Sequence, residues 1–185
     1  MIRVLRRALQ WVADRVRGQH SLEWFKERGL RAGPGVWIGR TAVLDDGFLW
    51  LISIGADSTI SGRVRILAHD ASMRKGTGRT IVGRVEIGSR VFVGSDTVIL
   101  PGVTIGDDCV IGANSTVRHD IPANSIAVGS PAKVVGQTDE HLAKHLELME
   151  TRPVWSREYT IEGDISREHM DEMWEALADG PGYVP

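Results

Sequence analysis

His69 is the side chain best placed to do chemistry. A histidine near neutral pKa can take a proton from a hydroxyl acceptor, and this one stands where a regular pattern in the chain stops and a basic stretch begins. That stretch, His69-Asp70-Ala71-Ser72-Met73-Arg74-Lys75-Gly76-Thr77-Gly78-Arg79, carries two glycines and three cations and interrupts the pattern on either side, as functional surface loops do. Asp45, Asp46 and Asp70 are the carboxylates that could orient the imidazole or hold an acceptor, and Arg74, Lys75 and Arg79 could hold an anionic group. The other histidines give no metal set. His20, His141, His145 and His169 lie in polar helical or flanking stretches, and His119 is outward. With one cysteine, neither a disulfide nor a structural zinc site is indicated, so no metal is expected.

The pattern that His69 interrupts counts in sixes. Ile87, Val93, Ile99, Ile105, Ile111 and Val117 are aliphatic and six residues apart, and four places after each come Val91, Thr97, Val103, Cys109, Ser115 and Ile121. Gly88, Gly94, Gly106 and Gly112 follow four of the six aliphatics directly. A period of six is neither the 2.0 of a strand nor the 3.6 of a helix. It is the signature of a solenoid in which each hexad makes one flat face and one corner, and three hexads close a coil. The aliphatics then point to the axis and stack eighteen residues on, the glycines ease the backbone turn, and Cys109 is a small core filler. Ile38, Leu44, Ile54, Ile60 and Ile66 continue the series upstream with a slip around Phe48 and Trp50, and the interval from Ile66 to Ile87 is not a multiple of six.

Composition sets wider bounds. A chain of 185 residues suits one domain plus extensions. The formal net charge is −2, with basic residues concentrated before Arg31 and acidic ones after Gln137. No basic cluster with interleaved aromatics points to nucleic acid. The lone cysteine and the lack of a signal-like N-terminus fit a reducing cytoplasm, and no apolar run is long enough to span a bilayer.

The chain divides into an N-terminal helical segment (1–35), a repeat domain (36–136) with an excursion at about 69–84, and a C-terminal helical extension (137–185). Ile2, Leu5, Leu9, Val12 and Val16 make one face of a basic amphipathic helix that could cap the coil, pack on another subunit or touch an anionic membrane from the cytoplasmic side. A second helix is expected over Leu22 to Arg28. After Pro122 the order loosens, a helix begins near Thr138, an extended arm covers Trp155 to Ile161, and a last helix runs from about Arg167 to Ala178.

The runs Trp50-Leu51-Ile52-Ser53-Ile54-Gly55, Ile66-Leu67-Ala68-His69-Asp70-Ala71-Ser72, Val91-Phe92-Val93-Gly94-Ser95, Leu100-Pro101-Gly102-Val103 and Gly129-Ser130-Pro131-Ala132-Lys133-Val134 resemble, in that order, the hexapeptide-repeat sugar O-acetyltransferases of the maltose, galactoside and surface-polysaccharide type. The resemblance implies a mainly β fold, a left-handed parallel β-helix with helical ends, that departs from the usual right-handed crossover. It implies acetyl-CoA as acyl donor, a sugar hydroxyl of a surface polysaccharide or lipid-linked glycan precursor as acceptor, and a homotrimer with the site between two coils. It makes His69 the general base and the Ser95 backbone N–H the oxyanion donor beside Gly94. It places Ala113 and Asn114 along the pantetheine channel, with Phe92 where many relatives have tryptophan, and Lys133 near the nucleotide phosphates, where Arg118 could add charge. The loop itself is distinctive: Arg74, Lys75, Arg79 and Arg84 could hold coenzyme phosphate or an anionic acceptor, and Asp70 could bind the acceptor. The alternative is a non-catalytic scaffold of the same repeat that binds a protein partner.

Overall fold

The computed structural model describes residues 20–185. The amphipathic helix expected over the first seventeen residues lies outside them. The chain forms two compact units, one ending at Thr138 and the other running from Asp139 to Pro185.

In the first unit, strands of two to four residues occupy three parallel sheets in rotation. β1 (Arg31–Ala32) lies in the first sheet, β2 (Trp37–Ile38) in the second and β3 (Val43–Leu44) in the third. β4 (Ile52–Ile54), β5 (Thr59–Ile60) and β6 (Arg65–Ile66) repeat the round. After an outlying antiparallel pair, β7 (His69–Asp70) with β8 (Ile81–Val82), two further rounds follow. They are β9 (Val85–Ile87), β10 (Phe92–Val93), β11 (Val98–Ile99), and β12 (Thr104–Ile105), β13 (Val110–Ile111), β14 (Thr116–Val117). Such rotation is a three-sided parallel β-helix. The aliphatics of the six-residue count lie in register: Ile60, Val93 and Ile111 in one sheet, Ile66, Ile99 and Val117 in the next. All six are fully buried, each contributing about 1.5–3 kcal/mol by leaving water. Cys109 is buried too, and its Sγ donates to the Pro122 carbonyl at 3.0 Å.

The glycines do a different job from the one their position suggests. Left-handed backbone falls two places later, at Asp57, Arg90, Asp96, Asp108 and Asn114 (φ 56–64°), whereas Gly55, Gly88, Gly94, Gly106 and Gly112 are not among the positive-φ residues. Four of these five are Asp or Asn, whose short polar side chains tolerate that region better than most; Arg90 is the exception. The glycines are required because the next coil lies too close for a side chain: a Cβ on Gly94 would stand 2.5 Å from the Ala113 nitrogen, and one on Gly55 2.5 Å from Ser89 nitrogen. Gly94→Ala therefore forces two backbones apart, and we expect it to cost about 1–3 kcal/mol, read as a lowered midpoint in thermal or urea unfolding.

Two corners carry stacked polar residues. Arg90 makes a two-pronged bond to Asp108 (2.6 and 2.7 Å), and Arg63 does the same to Asp96 (2.7 and 2.7 Å). These guanidinium bonds hold both carboxyls below their ordinary range. The third corner, where the third sheet passes to the first, is the one that is interrupted. Leu44 stands opposite Ile66, 22 residues on, four more than a regular coil. Ile66 stands opposite Ile99, 33 residues on, fifteen more. The four-residue insertion makes a 3₁₀ turn at Leu49–Leu51, and the longer one is the excursion, with a short helix α2 (Arg74–Thr77) at its tip. Both insertions stack at one corner, in consecutive coils.

Before the coils, α1 (Leu22–Glu27) is capped by the Ser21 hydroxyl, which accepts from Trp24 N–H. At the far end the chain does not loosen: β15 (Ser125–Val128) and β16 (Lys133–Gln137) form an antiparallel hairpin around Gly129-Ser130-Pro131-Ala132. In the second unit α3 (Thr138–Met149) and α4 (Arg167–Ala176) match the expected helices, but Arg157–Tyr159 and Ile161–Gly163 are 3₁₀ turns rather than an extended arm. The Thr160 hydroxyl turns the chain by accepting from Gly163 N–H. Among the described residues no helix is long and apolar enough to cross a membrane.

Candidate active site

The interrupted corner brings a carboxylate to the histidine. Asp45 follows β3, and its N–H donates to the Ile66 carbonyl of the coil above, which carries its side chain up to the root of the excursion. There one oxygen, Oδ2, accepts from the Ala68 N–H at 2.9 Å and meets His69 Nδ1 at 2.5 Å. The Asp45 side chain is 3% exposed and the His69 ring 38%. A carboxylate can only accept, so Nδ1 carries the proton and Nε2 presents the basic lone pair on the open side of the ring. Phe48, from the four-residue insertion, packs against that ring with centroids 5.2 Å apart. The imidazole is thus fixed by a buried charge on one nitrogen and an aromatic face.

The other two candidate carboxylates are elsewhere. Asp46 is exposed on the neighbouring turn. Asp70 turns its Oδ1 to the Ser72 N–H at 2.8 Å, and that bond holds its carboxyl below the ordinary range. Asp70 also lines an open cleft of about 420 Å³ with Ile81, Leu100, Pro101, Thr116, Arg118, Ser130 and Pro131. That cleft runs from the excursion along later coils, so Arg118 shares it with the residue after His69. The loop cations Arg74, Lys75 and Arg79 are exposed at the excursion tip, while Arg84 pairs with Glu86 at 3.2 Å.

Ser95 lies apart from His69. It stands at the corner where the second sheet passes to the third, and His69 leaves the third sheet at its opposite edge. Five or so residues of extended chain separate the two edges, on the order of 15 Å. Ser95 and Ala113 stack in consecutive coils, and neither N–H bonds any group among the described residues. Gly94 is buried between them. The Asn114 N–H is committed to the Ser95 carbonyl at 2.8 Å, which keeps that carbonyl turned toward the next coil. Phe92 is half exposed on the outer face of the second sheet, and Lys133 is exposed on β16 at the end of that sheet. Two groups of candidates thus result: His69 with Asp45, Asp70 and Arg118 at one edge of the third sheet, and Phe92, Ser95, Ala113 and Asn114 at or beyond the other.

The aromatic backing by Phe48 escapes sequence reasoning, although the broken count around Phe48 and Trp50 marks the place.

Residues 84–119 match the model of the bacterial transferase hexapeptide with six repeats. The last two coils, from β9 to β14, are built of that repeat. Over 60 residues the chain is 52% identical to a protein of Staphylococcus aureus (strain COL) assigned as an acetyltransferase, covering 32% of this chain and 30% of that one. Over 119 residues it is 35% identical to the galactoside O-acetyltransferase of Escherichia coli (strain K12), covering 58% and 57%. Among solved structures, the hexapeptide-repeat acetyltransferase of Vibrio cholerae O1 biovar eltor complexed with acetyl-coenzyme A superposes with a TM-score of 0.54 at 30% identity, over 60% of this chain and 61% of that one. The chain spans between 30% and 57% of the length of these curated relatives. The resemblance to hexapeptide-repeat acetyltransferases, including the galactoside type, therefore stands on the repeat and on named relatives.

Proposed function

We propose that the protein is an acetyl-CoA-dependent O-acetyltransferase acting on a hydroxyl of a sugar, in a surface-polysaccharide or lipid-linked glycan precursor, within the cytoplasm. The observation that carries this reading is the buried Asp45 carboxylate on His69 Nδ1 at the root of the excursion. Residues 36–136 would be the catalytic domain, wound left-handed as in the acetyltransferases it resembles. Nε2 of His69 takes the proton of the sugar hydroxyl as its oxygen attacks the thioester carbonyl of acetyl-CoA. The new C–O bond makes a tetrahedral oxyanion, which accepts a hydrogen bond from the Ser95 N–H. Its collapse breaks the C–S bond, and the imidazolium returns the proton to the leaving thiolate. The products are an acetyl ester and free coenzyme A. Phe92, Gly94, Ala113 and Asn114 would line the pantetheine, Arg118 and Lys133 the phosphates, and Asp70, Arg74, Lys75 and Arg79 the acceptor.

One chain cannot bring His69 and Ser95 to the same carbonyl, because a whole face of the coil separates them. A homotrimer resolves this, with His69 of one subunit facing the Ser95 corner of the next and cyclic closure leaving no open end. Assembly can be tested by complementation. His69→Ala and Ala113→Trp, the latter filling the coenzyme channel, should each be inactive alone. Co-expressed in equal amounts, they should recover about a quarter of wild-type activity, the share of interfaces that pair an intact His69 with an intact Ala113. Recovery of nothing would place the site within one chain.

The chemistry is tested by thiol release from acetyl-CoA across a panel of sugars and lipid-linked oligosaccharides. Acceptor-dependent release supports the reading. Coenzyme binding undetectable at millimolar concentration would instead favour a non-catalytic scaffold.

A further inference from the structure

The four-residue insertion has no part in the proton transfer beyond Phe48, yet it mounts a second aromatic ring in the open. Trp50 is 54% exposed, and its ring centroid lies 5.6 Å from that of Phe48, which in turn lies 5.2 Å from that of His69. The mounting is rigid. Leu49 and Ile52, on either side, are fully buried, and the Trp50 Cβ packs so closely over Gly29 that a Cβ there would approach to 2.9 Å. The coil gains little from an indole turned to solvent, since a polar residue at that place would leave Leu49 and Ile52 where they are. A flat, fixed aromatic face beside a general base suits a ligand with an apolar face and a polar rim, because its polarised C–H groups meet the negative face of the ring while its hydroxyls stay in water. A pyranose has that form. The excursion and its cleft lie toward the later coils, whereas Trp50 lies toward the earlier ones, and neither Phe48 nor Trp50 lines that cleft.

We infer that Trp50, backed by Phe48, is a stacking platform for the sugar ring next to the one that is acetylated, so that the enzyme selects linked saccharides over free monosaccharides. The Trp50 indole packs on Phe48 and Phe48 packs on the His69 ring, so Trp50 is mounted one ring further from the base than Phe48 is. The inference rests on the acetyl transfer to sugar proposed above.

The test uses the intact protein, Trp50→Ala and Trp50→Phe, with glucose against maltotriose and galactose against galactotriose as acceptors. In the wild type the trisaccharide of the better series should have the lower KM. Trp50→Ala should raise that KM about five- to ten-fold and leave the monosaccharide KM, the acetyl-CoA KM and kcat within two-fold, with Trp50→Phe in between. Unchanged trisaccharide KM in Trp50→Ala overturns the platform, as does an equal rise for mono- and trisaccharide or a rise in the acetyl-CoA KM. If no sugar of either series is acetylated, fluorescence titration with the trisaccharides decides: a change present in the wild type and lost in Trp50→Phe supports the platform while the transfer reading fails, and no such change overturns it.

Discussion

Replacing His69 by alanine lowers kcat for acetyl transfer by about 10² to 10⁴, or about 3 to 5 kcal/mol in the barrier, the usual worth of a positioned general base. The protein itself should survive the change. His69 belongs to β7, whose only sheet partner among the described residues is β8 of the excursion, and its ring is more than a third exposed rather than part of the coil interior. The loss of stability should be no more than about 1–3 kcal/mol, the cost of leaving the buried Asp45 carboxylate with one donor fewer, and the KM for acetyl-CoA should stay the same, since the candidate coenzyme residues lie on other elements. A small base in solution offers a second readout. The alanine variant leaves a space beside Phe48 and Asp45, and added imidazole should restore part of the lost rate, with saturation. A variant that kept its kcat within three-fold of wild type would mean that the proton goes elsewhere.

The repeat was legible because its period coincides with no single element, so even two-residue strands announce themselves by the aliphatic at every sixth place. The excursion was legible for the same reason, as a place where the count fails. What stayed hidden depends on register between coils. Asp45, Asp46 and Asp70 are equivalent as sequence, and Asp45 is singled out only by an offset of 22 residues, which puts it under Ile66 and one turn from Ala68 and His69. The offset comes from the insertion, whose length cannot be read from residues that fit no template. The glycines show a second limit. A glycine that precedes a turn and a glycine that must clear a neighbouring backbone look alike in sequence, and only the 2.5 Å approach at Gly94 tells them apart. In the hairpin of β15 and β16 the turn residues Gly129 and Pro131 were visible, but a five-residue strand running back against β15 breaks the repeat and so left no count to follow.

Asp45→Asn should lower kcat by about 10²-fold while the fold stays intact, because it removes the charge and keeps the shape. The carboxylate does two things with one oxygen. It accepts from the Ala68 N–H, which anchors the root of the excursion, and from His69 Nδ1, which sets the tautomer. Asparagine can meet the first demand with its carbonyl, and then offers no charge to the imidazolium that forms as the hydroxyl loses its proton. If the amide turns over instead, its NH₂ donates to Nδ1, the ring proton moves to Nε2, and the base is lost outright. Alanine would be the wrong substitution, since it also leaves the Ala68 N–H without its acceptor at a cost of about 1–3 kcal/mol in stability. Two measurements separate positioning from a general loss. Nitrogen NMR of the His69 ring should show the Nδ1-protonated form in the wild type and a mixed or reversed population in Asp45→Asn. In the double variant, Asp45→Asn added to His69→Ala should slow the reaction no further, because a residue that acts through the imidazole has nothing to act on once the ring is gone. A further 10²-fold drop in the double variant would show Asp45 working on the substrate directly, and the buried carboxylate would then have to be counted among the acceptor's own contacts.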